Sequence, residues 1–160
     1  MLYQTIARIH LDNIRFNIEG IRKAIGSERK VLIAVKANGY GHGAVAVSRM
    51  AEKIGVDWLG VATVPEGIQL REAGIRLPIL KFSPVFPEEM EAAVNNKLTL
   101  TVCEKQNILS LENTCTTLGK SVDVHLKVDT GMGRIGVSVQ DAEHLAYFIE
   151  SECPHLHLDG

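Results

Sequence analysis

Cysteine is scarce in this chain and follows no pattern. Its three cysteines, Cys103, Cys115 and Cys153, are odd in number and show no C-x-x-C spacing. That argues against a disulfide framework or a structural zinc site, and for reduced thiols in a cytoplasmic protein. An excess of one charge sign is also lacking. The formal net charge is −2, with Lys and Arg scattered along the 160 residues, so no basic concentration exists to meet nucleic acid or an anionic membrane. No apolar run approaches the roughly 18 residues of a membrane span. Met1 to His10 lacks a basic segment followed by an apolar core, so no secretory signal is visible. Internal repeats, low-complexity stretches and Pro/Ser linkers are absent too.

What is present is the composition of one soluble globular domain, 46% hydrophobic and 22% charged. Short β-branched runs alternate with helical patterns of about a dozen residues, the mark of βα units and a parallel sheet. Ile6 to His10 reads as a lead-in strand. A helix follows, with Asp12 near its start and Ile14, Ile18, Ile21 and Ile25 on one face. Strands are expected at 31–35, 58–63, 78–82, 98–102, 121–129 and 155–159. Helices are expected between them at 44–54, 65–73, 87–95, 104–118 and 139–150, the last behind Ser138 as N-cap.

Six strands spaced for crossover helices fit either a doubly wound sheet or a (β/α)8 TIM barrel. Alternation favours the barrel. In the fifth strand Val122, Val124, Leu126 and Val128 share one face, while Asp123, His125, Lys127 and Asp129 share the other. A sheet covered by helices on both sides wants both faces apolar, whereas a barrel strand packs one face on helices and turns polar groups inward. Such a barrel usually takes about 250 residues, so residues 1–160 are expected to be the N-terminal part of the barrel domain, about six of its eight strand-helix units.

Two segments carry chemistry. In Val35-Lys36-Ala37-Asn38-Gly39-Tyr40-Gly41-His42-Gly43, a lysine closes a buried strand and a glycine-rich turn leads into a helix. Parity groups Lys36 with Leu32 and Ala34, pointing it into the barrel at the end where active sites sit. Desolvation there pushes an amine from about 10.4 toward roughly 7 to 8, the condition for Schiff-base chemistry. The helix N-terminus behind the turn suits a phosphate. The plainer alternative is a lysine that snorkels to solvent above an ordinary turn.

The second segment, His125 to Gly136, contains G-x-G-x-x-G after a strand. A dinucleotide fingerprint is a poor fit, because the preceding strand is polar on one face and the unit falls late in the chain. Lys127 and Arg134 bring two cations toward the barrel mouth beside Asp129. Either an anionic partner meets them or a structural salt-bridge cluster with Asp129 and Asp123 does. His155-x-His157, with His42 and His125, lacks the spacing of a known metal site, so hydrogen-bonded histidines and no metal are expected.

Together, Ala34 to Gly43 and Leu126-Lys127-Val128-Asp129-Thr130-Gly131-Met132-Gly133-Arg134-Ile135-Gly136 resemble the alanine racemases, fold-type III enzymes dependent on pyridoxal 5′-phosphate. The helix after His10-Leu11-Asp12 extends the resemblance over essentially the whole chain. It implies that Lys36 holds the cofactor as a Schiff base and acts as acid/base on one face of the substrate α-carbon. It implies that Tyr40 hydrogen-bonds the cofactor phosphate, and that Arg134 reaches the cofactor's phenolic oxygen and the substrate carboxylate. Lys127 matches a lysine that many members carry as a carbamate.

The resemblance further implies interconversion of L- and D-alanine for peptidoglycan, and a homodimer. The opposite-face tyrosine, contributed across that dimer, is expected in a C-terminal β domain not included in these 160 residues. The chain by itself is therefore expected to be inactive. Broader specificity (serine, lysine) and a non-catalytic pyridoxal-phosphate-binding barrel are the alternatives.

Overall fold

The computed structural model describes residues 5–160. Six strands form one parallel sheet: β1 (Leu32–Ala34), β2 (Trp58–Val61), β3 (Ile79–Lys81), β4 (Thr99–Val102), β5 (Val122–Leu126) and β6 (Leu156–Leu158). They lie side by side in chain order with no reversal. A doubly wound sheet reverses at a switch point. This one winds in a single direction, as a barrel wall does.

The helices are α1 (Leu11–Ile25), α2 (Ala44–Lys53), α3 (Val64–Glu72), α4 (Pro87–Asn95), α5 (Lys105–Leu118) and α6 (Val139–Glu152). Their starts follow local chemistry. Pro87 opens α4, the Ser138 hydroxyl accepts from the Asp141 amide at 3.2 Å to begin α6, and Thr63 opens α3 through a reciprocal capping box with Glu66.

The core forms where the helices cover one face of the sheet. Leu59, Ile79, Leu100 and Val124 of the strands are fully buried, against Ile108 of α5 and Ile149 of α6. The other face is buried at its centre, at Gly60, Leu80, Thr99 and Thr101, and open toward its edges, where Leu32, Asp123 and His157 are exposed. Part of this inner face near β2 is filled by aromatics. The Phe82 ring lies directly over Gly60, in the space a Cβ there would occupy. Trp58 and His125 face each other with ring centroids 5.3 Å apart.

Two charged residues sit on the dry side with their partners supplied. Lys81, in register with Val61 and Leu100, is 3% exposed. Its ammonium donates to the carbonyls of Ser83 at 2.9 Å and Pro84 at 2.8 Å and to the Ser83 hydroxyl at 3.0 Å. Burial pushes its pKa down against the opposing pull of Glu89. Glu112, in α5, accepts from the His155 amide at 3.1 Å and lies 2.6 Å from its Nδ1, tying α5 to the start of β6.

Several expectations are corrected. Residues 6–10 form no strand. They are exposed, with Ile6 63% accessible, and have no ladder partner among the described residues, so a short apolar run gains neither burial nor pairing. On α1 only Ile18 is fully buried; Ile14 and Ile25 are half-buried and Ile21 is 55% exposed, a narrower stripe than the four isoleucines promised. The fifth strand breaks at Lys127, and Val128–Asp129 instead pairs with Val137–Ser138 in a separate two-residue ladder.

The remaining strands and helices match expectation to within a few residues at each end. No helix among the described residues is long and apolar enough to cross a membrane. Glu112→Ala removes both acceptors from His155 and is expected to lower stability by about 1–3 kcal/mol, measurable as a fall in the urea midpoint without change in slope.

Candidate functional site

Lys36 emerges directly from β1. The preceding residue, Val35, still belongs to the sheet, its amide donating to Gly60 O at 2.8 Å, and is 1% exposed. Lys36 is half-buried and shares the open side with Leu32 and Ala34, as parity predicts. The turn behind it is unusual. Ala37, Asn38, Gly39 and Tyr40 all have positive φ, at 50°, 53°, 62° and 53°, making one left-handed helical turn. Each non-glycine L-residue in that conformation costs about 1–2 kcal/mol, with Asn the most tolerant. Only Gly39 has a spatial need for its missing side chain: it is buried, and a Cβ there would lie 3.3 Å from the Ala44 amide nitrogen.

Hydrogen bonds hold the turn from all sides. Gly39 N donates to Val35 O at 2.8 Å, and Gly43 N donates to Asn38 O at 2.9 Å. The Asn38 side-chain oxygen accepts from Ala44 N at 3.0 Å, and His42 Nδ1 lies 2.9 Å from Gly39 O. The Ala44 donor at the start of α2 is therefore occupied by Asn38, which qualifies the expectation of a free helix N-terminus for phosphate.

The residue that sequence reasoning missed is Glu66. One carboxylate oxygen accepts from Ala37 N at 2.7 Å; the other accepts from Ala62 N at 2.8 Å and Thr63 N at 3.1 Å. Desolvation acts to raise its pKa, but the bonds from Ala37, Ala62 and Thr63 outweigh this and hold it below the usual carboxylate value. Thr63-x-x-Glu66 is a capping-box pattern visible in the sequence; its second use, on the Lys36 turn, depends on β1 and β2 being neighbours.

Tyr40 is 60% exposed, and its ring centroid lies 5.8 Å from Lys36 Nζ. Lys127 and Arg134 stand elsewhere on the mouth. Four strand spacings, about 19 Å along the arc, separate β1 from β5, and no hydrogen bond or ion pair among the described residues joins the two groups. The main chain of Lys127 is fixed, its amide donating to Val102 O and its carbonyl accepting from Val137 N, both at 2.8 Å. Arg134 is exposed and lines an open cleft of about 670 Å³ with Cys103, Glu104, Asn107 and Asp129.

The salt-bridge cluster weighed for these cations does not form. Among the described residues no carboxylate comes within 4 Å of Lys36, Lys127 or Arg134. Asp129 turns instead to its own loop, accepting from Gly131 N at 2.9 Å. The amides of Gly131 and Gly133 lower its pKa. Three of the four histidines are hydrogen-bonded, His42 to Gly39 O, His125 through Nε2 3.3 Å from Asp159, and His155 to Glu112, while His157 is exposed. No group of three or more metal-ligating side chains occurs among the described residues, and the three cysteines are buried and unbridged.

Comparison with known proteins accords with this arrangement. Residues 9–160 match the family described as alanine racemase, N-terminal domain. The chain belongs to that family. It is 50% identical to the alanine racemase of Cutibacterium acnes over 132 residues, 82% of this chain and 35% of that protein. To the alanine racemase of Treponema denticola it is 41% identical over 156 residues, 98% of this chain and 41% of the relative. The solved alanine racemase of Clostridium difficile 630 in complex with cycloserine superposes with a TM-score of 0.95 at 36% identity, covering all of this chain and 44% of that one. This racemase-family chain thus spans about two fifths of the relatives it matches.

The Glu66 clamp has a pH signature. Because its folded pKa is depressed, its contribution to stability is fully present above the unfolded carboxylate value and is lost as pH falls through the folded value. The stability advantage of the wild type over Glu66→Gln is therefore expected to be constant near neutrality and to shrink on acidification, as read from urea unfolding across that range.

Proposed function

We propose that the polypeptide carrying this chain is an alanine racemase dependent on pyridoxal 5′-phosphate, with Lys36 as the residue that holds the cofactor. The observation that carries this reading is the Lys36 amine, half-buried at the open end of the first barrel strand and without a carboxylate within 4 Å among the described residues. An amine meant for structure would have an ion-pair partner or reach bulk water. The donor set also suits a phosphorylated aldehyde. Among the described residues three cations, Lys36, Lys127 and Arg134, lack carboxylate partners, and a tyrosine hydroxyl stands on the turn behind Lys36.

Pyridoxal phosphate, when bound, supplies the electron sink that makes the α-proton of an amino acid removable. The chain's own residues do the rest. Lys36 would hold the cofactor through Nζ, and the amine freed once the substrate's amino group displaces it would take or return the α-proton on one face of the substrate. Tyr40, its ring beside Lys36, gives its hydroxyl to the phosphate. Arg134 offers a planar pair of donors to the substrate carboxylate and to the phenolic oxygen of the cofactor. Lys127 as a carbamate would place an anion beside Arg134 and fix its direction.

Inversion needs a second acid/base on the opposite face of the α-carbon. We assign it to a tyrosine of a C-terminal domain contributed by the partner in a homodimer. The reading places the protein in the cytoplasm, in keeping with three buried, unbridged thiols, with D-alanine for peptidoglycan as its product.

Adding pyridoxal phosphate is expected to give a borohydride-reducible adduct on Lys36, found by peptide mass mapping and lost in Lys36→Ala. An adduct that survives the substitution would remove Lys36 from this role. The 160-residue chain alone is expected to bind without interconverting L- and D-alanine, and measurable conversion would show that no second base is required from elsewhere. Native mass spectrometry in bicarbonate is expected to show the added mass of carbon dioxide, absent from Lys127→Ala; a bare lysine at 127 would count against the carbamate.

A further inference from the structure

Lys36 follows a three-residue strand and precedes a backbone conformation that L-residues avoid. The direction of its side chain therefore depends on what keeps the next peptide in place. The Ala37 amide sits at that junction, and its acceptor is Glu66 Oε1 at 2.7 Å. The opposite oxygen of the same carboxylate takes two amides at the end of β2 and the start of α3, those of Ala62 and Thr63. One side chain thus joins the peptide after the candidate cofactor lysine to the neighbouring strand-helix unit. Release of that bond would leave Ala37 at φ 50° with no acceptor for its amide, and relaxation toward the right-handed or extended regions would swing the peptide plane next to Lys36.

Helix capping alone does not account for this arrangement. A capping box needs one carboxylate bond to the N-cap amide and one hydroxyl bond from the N-cap side chain. Glu66 supplies the first to Thr63 N, and Thr63 Oγ1 accepts from Glu66 N at 3.4 Å. The bond to Ala37, 29 residues away, is additional and is the shortest of the set.

We propose that Glu66 is a positioning residue for Lys36, its carboxylate holding the left-handed turn that aims the lysine amine toward the cofactor. This rests on the reading of Lys36 given above. Glu66 spends its carboxylate on main-chain amides and acts on Lys36 through the Ala37 peptide.

The test compares Glu66→Gln, Glu66→Asp and Thr63→Ala with the wild type and Lys36→Ala, all in the complete polypeptide. Two readouts are used: hydrogen–deuterium exchange of the segment 36–43 without cofactor, and the pyridoxal phosphate concentration that half-saturates the reducible adduct. Losing a charge-assisted bond to Ala37 is expected to speed exchange in that segment about tenfold or more and to weaken adduct formation by a similar factor. Glu66→Asp, too short to span both sides, is expected to behave like Glu66→Gln. Thr63→Ala loses the other half of the cap but keeps the Ala37 bond, and is expected to match the wild type in both readouts.

Wild-type exchange and adduct formation in both Glu66→Gln and Glu66→Asp would overturn the proposal. Thr63→Ala reproducing their defects would also overturn it, reducing Glu66 to a helix cap. Lys36→Ala is expected to abolish the adduct while leaving exchange of the turn slow. An adduct that persists there refutes the assignment of Lys36, and the exchange measurement still judges the clamp.

Discussion

The structure depends on a sheet whose two faces are covered unequally. Helices seal the face carrying Leu59, Ile79, Leu100 and Val124, and burial of that face supplies the main stabilising term. The opposite face is dry at its centre but open toward β5 and β6, so Asp123, His125, Lys127 and His157 lie there at little desolvation cost. Because the strands run parallel in unbroken order, every strand end that bears a loop of candidate residues lies at the same pole. Lys36, Tyr40, Lys127 and Arg134 share that pole through topology, although among the described residues no hydrogen bond or ion pair joins the first two to the last two.

Strain at this pole is concentrated in one place. A left-handed turn containing Ala37, Asn38 and Tyr40 survives because hydrogen bonds from both sides leave the backbone no lower alternative. Asn38 caps the following helix with its side chain while its own carbonyl closes the loop to Gly43. The main-chain amides of the turn at Ala37, Gly39, Gly41 and Gly43 are thus consumed internally. The cations farther round the mouth are not, because Asp129 is occupied by its own loop amides.

Much of this was legible in the sequence. Alternation in Val122–Leu126 distinguished a one-sided strand from a two-sided one, and that decided the barrel over the doubly wound sheet. Parity also put Lys36 on the inner face. What escaped sequence reading were features that need a tertiary neighbour. Ile6 to His10 has strand composition but no pairing partner among the described residues. The strand expected through Asp129 stops at Leu126, because the main chain of Lys127 bonds to Val102 on one side and Val137 on the other. The capping pattern Thr63-x-x-Glu66 was visible, but that Glu66 also reaches Ala37 follows only from β1 and β2 lying in register, Ala34 beside Gly60.

The Phe82 ring above Gly60 carries a consequence for how this fold varies. The two positions, one within β2 and the other just past the end of β3, share one volume on the inner face. A side chain gained at 60 must be met by a shift of the ring at 82 or by bulk lost there, so the two positions are coupled. In related chains their combined size, rather than either identity, is the quantity that selection can hold constant.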